Sequence, residues 1–320
     1  MSNSLRQPAL SSFLKAKICA DDDYDDEFAV EVSKSADDVP GGRKGAAGKG
    51  PSPPKPAPVT AGEHNEPFTI SPLLAIDREV TAALSPSRKT VVERSVRFTY
   101  AFESKRGSVP LNPRRANQDA HVELYPFAQT AGCALFAVCD GHGFEGARVA
   151  RFAAKQLPQE LERELSSCKK QHSVGDALTS AFMKTNVQLY ESEIDVSFSG
   201  AVVVACVLDG CDLWVANAGN ARAVLGRKSR SKDGRVGLRM VELSIDHTPR
   251  RHDECQRVIR RGGRVEPFKT AEGVAIGPPR VWLSHQDAPG LQVTRAVGNS
   301  VAATVGIVAE PEVMRKRWVP

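Results

Sequence analysis

From Cys133 to Cys139 the chain reads CALFAVC, an unbroken apolar run of strand length that is expected to form a buried β-strand. The run ends at Asp140-Gly141-His142-Gly143, and a helical period takes over. Ala147, Ala150, Ala153, Leu157, Leu161 and Leu165 recur at near-helical spacing between Phe144 and about Ser166, with Pro158 placed to kink or divide the helix. A second helix is expected over Ala177–Tyr190, with Leu178, Ala181, Phe182 and Leu189 on its apolar side. Next come AVVVACVL, Asp209-Gly210 and DLWVANAG, two apolar segments around a dipeptide suited to a type I′ turn, hence a β-hairpin. Val91–Phe102, Ala221–Gly226 and Leu238–Ile245 read as further strands, and Asp253–Arg261 as a short helix closed by Gly262 and Gly263. A strand, two helices and then hairpin-linked strands favour an α+β fold: antiparallel sheets covered by helices rather than an alternating parallel sheet.

The pattern divides near residue 90. Residues 34–89 form a Pro/Gly/Ala-rich stretch with few large apolar residues, expected to be a disordered linker because it cannot offset its ordering entropy. Residues 1–33 read as an N-terminal tail. In it Gln7, Leu10, Phe13 and Leu14 have the spacing Q-x-x-L-x-x-F-L, which resembles the one-turn-helix peptide that docks on a sliding DNA clamp, with Leu14 where a second aromatic is usual. The same stretch is basic and serine-rich before the acids at Asp21–Asp23, the composition of an organelle transit peptide. A frayed terminus with chance apolar residues is the plain alternative.

Composition narrows the class without naming it. The chain has 320 residues, 41% hydrophobic and 25% charged, enough for one sizeable core. A net charge of +5 spread along the chain describes a solvated surface, not a nucleic-acid footprint. No apolar run has the length of a membrane span. Seven cysteines without a Cys-x-x-Cys pair fit free thiols in a reducing compartment, hence cytoplasm or nucleus, with organelle import as the alternative.

Candidate chemistry gathers at two places. Asp140 ends the buried run with a carboxylate, Gly141 lets the backbone turn its carbonyl to the same spot, and His142 follows. Upstream, Arg114-Arg115-Ala116-Asn117-Gln118-Asp119 offers guanidinium forks suited to phosphate and a second carboxylate. Carboxylates, a carbonyl and an arginine together suggest a hard divalent cation beside a phosphate. Alone, an Asp-Gly-His-Gly is more often a polar turn and an arginine pair a surface feature.

Five stretches in order change those odds: RRANQDAHVEL, LFAVCDGHGFEGARVA, SGAVVVACVL with LWVANAGNARAVL, LSIDHTPRRHDECQRVIRRGGRV, and RVWLSHQDAPGLQVTRAVGNSVAATVGIVAEPEV. Together they resemble the protein phosphatase 2C family of metal-dependent (PPM-type) serine/threonine phosphatases, over roughly Val91 to Val313 of a domain set at residues 90–320. The resemblance implies two packed antiparallel sheets flanked by helices and a site for two Mg²⁺ or Mn²⁺ ions that activate a water against a phosphoserine or phosphothreonine protein. It also implies roles: Asp140 and the Gly141 carbonyl as metal ligands, Asp119 orienting metal-bound water, Arg114 (or Arg115) holding phosphate, and His142 as general acid.

Departures from the family pattern accompany the match. Gln118 precedes Asp119 where a glutamate is common, Asn220 stands in the Gly219–Arg222 motif where an aspartate would serve a further metal, and Asn299 stands where the family has a principal metal-binding aspartate. After EPEV the chain reads MRKRWVP, too short and basic for the last strand and further Asp-Gly ligand of the family, so the sandwich is expected to lack its last strands. Asparagine offers an oxygen but no charge, so weak or absent catalysis is expected. The alternatives are a pseudophosphatase that binds phosphoproteins and a clamp-docking or organelle-targeted adaptor.

Overall fold

The computed structural model describes residues 12–19, 27–34, 97–105, 116–130, 132–167, 173–230 and 236–317. Fourteen strands and four helices are described: β1 (Ser12–Cys19), β2 (Glu27–Lys34), β3 (Arg97–Ser104), β4 (Asp119–Leu124), β5 (Cys133–His142), α1 (Gly146–Ser167), α2 (Val174–Tyr190), β6 (Gly200–Asp209), β7 (Asp212–Ala218), β8 (Ala221–Arg230), β9 (Val236–Glu242), α3 (His252–Arg260), β10 (Arg264–Lys269), β11 (Ala275–Trp282), β12 (Pro289–Leu291), β13 (Val297–Gly298), α4 (Ser300–Ala303) and β14 (Glu312–Arg317).

Three layers stack. A six-stranded antiparallel sheet, ordered β14-β7-β6-β5-β4, has β13 paired to β6; a five-stranded sheet is ordered β3-β1-β2-β8-β9. The apolar run of β5 sits at the centre and feeds both faces, as strand alternation requires. Leu135, Ala137 and Cys139 pack toward α1 and α2, with Leu157, Leu161, Leu178 and Phe182. Ala134, Phe136 and Val138 pack toward the second sheet, with Leu225 and Leu243. A smaller core holds α3 and β11 together through Val258, Val281, Ala302 and Ile307.

The expected α+β sandwich is present, with informative differences. α1 runs unbroken with Pro158 inside it. α2 starts three residues before the expected Ala177, at a capping box in which Ser173 and Asp176 satisfy each other's backbone N–H. In the β6–β7 hairpin Asp209 pairs with Asp212, so Gly210 and Cys211 form the turn, and only Gly210 takes a positive φ, whereas type I′ needs two.

Two differences are larger. Residues 12–19 and 27–34, expected in a tail, are strands of the sandwich: β1 pairs with β2 and β3, and β2 pairs with β8. Phe13 and Leu14 therefore have their backbone engaged on both sides, and docking on a one-turn helix would have to draw β1 out of the sheet; Gln7 and Leu10 lie outside the described residues, as does nearly all of the linker. Second, Met314–Arg317, read from the sequence only as too short and basic for the family's further strand and Asp-Gly ligand, continues β14 in register with β7. Its charge is matched at this edge: Arg315 donates to both Asp212 oxygens at 3.2 and 2.7 Å and lies over the Trp214 ring. No helix among the described residues is long and apolar enough to cross a membrane.

Candidate active site

Asp140, Gly141 and His142 do not follow β5; they are its last three residues. Asp140 lies directly opposite Asp119 of β4, and residues opposite in register share a face. Alternation from Phe136 and Val138 puts that face toward the second sheet. Two carboxylates so placed repel unless a cation sits between them. Asp140 is buried, and Asp119 Oδ2 is buried without a hydrogen-bond partner. Between them on the opposite face, Cys139 is raised to about 12, first by burial and then by the charges of Asp119 and Asp140, so it offers no thiolate nucleophile.

Glycines let the backbones converge here. A Cβ on Gly141 would lie 2.2 Å from the Gly146 carbonyl oxygen at the start of α1. Gln118 Nε2 donates to the Gly143 carbonyl at 2.8 Å, and the Glu145 N–H donates to Ser199 Oγ at 3.0 Å, fixing the turn after His142. His142 pairs in register with Gly200, whose missing side chain admits Asn299: a Cβ there would be 2.0 Å from Asn299 Nδ2.

Asn299 is fully buried and left-handed, with φ 51° and ψ 51°. Its N–H donates to the Ser199 carbonyl at 2.8 Å, and its Nδ2 donates to His142 Nε2 at 2.8 Å. In that hydrogen bond the amide is the donor and the Nε2 lone pair the acceptor. Asn299 Oδ1 is buried without a partner. His142 is two residues from Asp140 on one strand, hence on the same face, so Asp119, Asp140, His142 and Asn299 come together from three distant segments. The two orphaned oxygens and the opposed carboxylates form an all-oxygen donor set of the kind that fits Mg²⁺ or Mn²⁺. Arg114 and Arg115 lie outside the described residues.

A second cluster has metal-ligand composition but not the electrostatics of a metal centre. Ligand atoms of His247, Glu254 and Glu312 lie within 4.8 Å of one another. Three guanidiniums already occupy it. Glu254, fully buried, accepts from Arg257 at 2.7 and 2.6 Å, from Arg295 at 3.1 and 2.8 Å and from Thr294 at 2.6 Å. Glu312 accepts from Arg251 at 2.9 and 2.7 Å. Burial alone would raise the Glu254 carboxyl, but the bonds from Arg257, Arg295 and Thr294 hold it well below the usual range. The Gly219 N–H donates to His247 Nδ1 at 3.1 Å, leaving the proton on Nε2, 3.2 Å from Glu312 but out of line for a hydrogen bond. Burial, then the Arg295 charge, lower the His247 pKa and keep it neutral. This lattice ties α3, the segment leading to Asn299, β14 and the β7–β8 turn, where Asn220 is buried beside Gly219. The sequence motifs held all these residues; what they lacked was the pairing that makes them a scaffold.

Comparison with known proteins bears on the family and the fold. The family model described as Protein phosphatase 2C matches residues 112–317. Probable protein phosphatase 2C 35 of Arabidopsis thaliana is 33% identical over 230 residues, covering 68% of this chain and 64% of the relative. Probable protein phosphatase 2C 72 of the same organism is 34% identical over 209 residues, covering 63% and 60%. The chain thus spans less than two thirds of these relatives' lengths. Among solved structures, a serine-threonine phosphatase 2C from Toxoplasma gondii superposes with a TM-score of 0.53 at 19% identity, covering 65% of this chain and 71% of that one. A C. elegans sex determining protein superposes with a TM-score of 0.50 at 23% identity, covering 64% and 46%. Both share the fold.

Proposed function

Because the chain belongs to the protein phosphatase 2C family, we propose that it acts on phosphoserine and phosphothreonine proteins as a metal-dependent phosphomonoesterase of attenuated turnover. The observation that carries this is the opposed Asp119–Asp140 pair beside an asparagine, Asn299, that donates to His142.

A bound Mg²⁺ or Mn²⁺ supplies Lewis-acid activation of water and neutralises charge on the phosphoryl group. Asp119, Asp140, the Gly141 carbonyl and Asn299 Oδ1 are the residues that would hold it. The close approach of Gly141 to Gly146 keeps the β5 end rigid, so both carboxylates present a fixed donor set. Arg114, directly after Pro113, is the proposed phosphate-holding guanidinium, as the family resemblance implies. His142 is the group placed to give a proton to the departing seryl or threonyl oxygen. Asn299 limits it in two ways: the amide adds no negative charge to the donor set, and by donating to Nε2 it favours the neutral imidazole over the protonated acid. The same features favour a second reading, a phosphoprotein-binding domain with turnover lost altogether.

The test is Mn²⁺-dependent hydrolysis of a phosphothreonine peptide by the full chain beside Asn299→Asp and Asp140→Ala. The expected result is slow turnover in the parent, none in Asp140→Ala, and a kcat/KM at least tenfold higher in Asn299→Asp. Silence of both the parent and Asn299→Asp, with phosphopeptide binding retained, would give the binding-domain reading the stronger claim; silence without phosphopeptide binding would sink both.

A further inference from the structure

Phe144 is 95% exposed, two residues beyond the end of β5 at His142. Its ring contributes almost nothing to the core, yet its backbone is held on both sides. Gly143 is pressed against the Phe198–Ser199 backbone, where a Cβ would be 2.4 Å from the Phe198 carbonyl oxygen, and Glu145 is bonded to Ser199 Oγ. Phe198, half exposed, is thereby fixed beside it. The same Ser199 is pressed from the other side by Gly298, where a Cβ would be 2.6 Å from the Ser199 carbonyl. Gly298 in turn accepts from the hydroxyl of the half-exposed Tyr190 at 3.0 Å and donates to Asn186 at 2.8 Å. From Tyr190 the apolar stripe continues along α2 through Val187 and Met183, both exposed and at helical spacing. Scattered exposed apolar residues are ordinary. Here three aromatics converge on backbone that also holds Asn299 and His142. The loop joining Tyr190 to Phe198 adds Glu191, Glu193 and Asp195, all exposed.

We infer that this rim is the docking surface for the substrate segment, and that it selects phosphoserine or phosphothreonine flanked by apolar and basic residues. The inference rests on the site's reading as a phosphoryl site. Phe144 lies two residues beyond the β5 end that carries Asp140 and His142, so a chain whose phosphorylated residue reaches that end meets aromatic rings and acids. Rigid aromatics fixed in a turn bind apolar side chains with little ordering entropy, and the three acids complement basic flanks.

The experiment measures, by fluorescence anisotropy with Mn²⁺, the affinity of the full chain for four labelled peptides with a constant pair of arginines. Two carry phosphothreonine flanked by leucines or by glycines, and two are their unphosphorylated forms. The leucine phosphopeptide is expected to bind about tenfold more tightly than the glycine one, about 1.4 kcal/mol. Phe144→Ser and Phe144→Ser/Phe198→Ser should shrink that ratio to below about threefold, and Glu193→Lys should weaken both phosphopeptides. Equal affinities in the parent, or a leucine preference that survives both variants, would overturn the inference. Sedimentation of a parent dimer that Phe144→Ser dissolves would also overturn it, assigning the face to a second copy. Failure of the phosphoryl-site reading is separate: phosphorylation would then change neither member of a pair, while the leucine-to-glycine ratio is still read from the unphosphorylated peptides.

Discussion

Glu254→Gln tests whether the charged lattice, and not a metal, organises the segment that delivers Asn299. The carboxylate is fully buried and accepts five hydrogen bonds, four of them from the guanidiniums of Arg257 and Arg295. Glutamine keeps one carbonyl oxygen and turns an NH₂ toward donors, so about two charge-assisted bonds are lost, each worth roughly 1.5–3 kcal/mol. Removing one partner of a buried pair generally costs about 3–5 kcal/mol, because the remaining charge is left uncompensated. Arg257 and Arg295 side chains keep 23% and 12% exposure, so water relieves part of that, and a loss of about 3 kcal/mol is expected. In a domain of this size that lowers Tm by about 6–12 °C.

The sign with pH follows from the same contacts. The Glu254 carboxyl is held below its ordinary 4.5, so its contribution is complete above that value and disappears as pH falls toward the lower folded-state value. Parent and variant should therefore differ most at neutral pH and converge in acid, measured by urea unfolding followed by circular dichroism from pH 7 downward. Thr294 and Arg295 also lie on the segment that delivers Asn299, so phosphopeptide binding should fall with stability. A loss below about 1 kcal/mol, or a loss that added Mn²⁺ reverses or that chelator mimics in the parent, would refute the guanidinium lattice and return His247, Glu254 and Glu312 to candidacy as a metal centre.

The remaining predictions concern the carboxylate pair and its neighbours. Asp140→Asn removes one of two directly opposed charges, so the metal-free protein should gain about 1 kcal/mol while losing its Mn²⁺-dependent rise in Tm; an unchanged Mn²⁺ response by scanning fluorimetry would count against the site. Gly200→Ala places a Cβ 2.0 Å from Asn299 Nδ2 and 2.6 Å from the Val297 carbonyl, so it should cost about 2 kcal/mol and weaken phosphopeptide binding, whereas Gly237→Ala, with open space at its Cβ, should do neither; denaturant midpoints of the two variants separate them.

The parts of this fold that were legible in the sequence are those whose partners lie nearby. The β5 run, the β6–β7 hairpin around Gly210 and the apolar side of α2 announce themselves through local period and turn chemistry, and the order of five motifs supplies the sandwich. β1 and β2 did not announce themselves. They flank the acidic sequence at 21–26 and precede a Pro/Gly-rich stretch, which makes them read as a tail, and β2 finds its partner in β8, with Phe28 opposite Arg227, a pairing no local pattern encodes. The site divides in the same way. Asp140 and His142 stand out because they interrupt an apolar strand, but the opposition of Asp119 to Asp140 is a matter of register, and the rim of Phe144, Phe198 and Tyr190 exists only once Gly143 and Gly298 close on Ser199.

Asn299 shows why a single atom there carries so much. Its left-handed backbone excludes most residues but suits asparagine and aspartate alike, so exchanging them leaves the turn unstrained. The Ser199 carbonyl holds the backbone N–H, and Gly200 leaves room for the side chain, whichever of the two is present. What changes is the direction of one hydrogen bond and one unit of charge. An aspartate would accept from His142 Nε2–H, favour the protonated imidazole and add a third formal charge for a cation beside Asp119 and Asp140. Asparagine donates instead, leaves Oδ1 as a neutral donor, and relieves the repulsion that a third buried carboxylate would add to the metal-free protein. The substitution thus trades affinity for the cation and acid strength at His142 against stability of the empty fold.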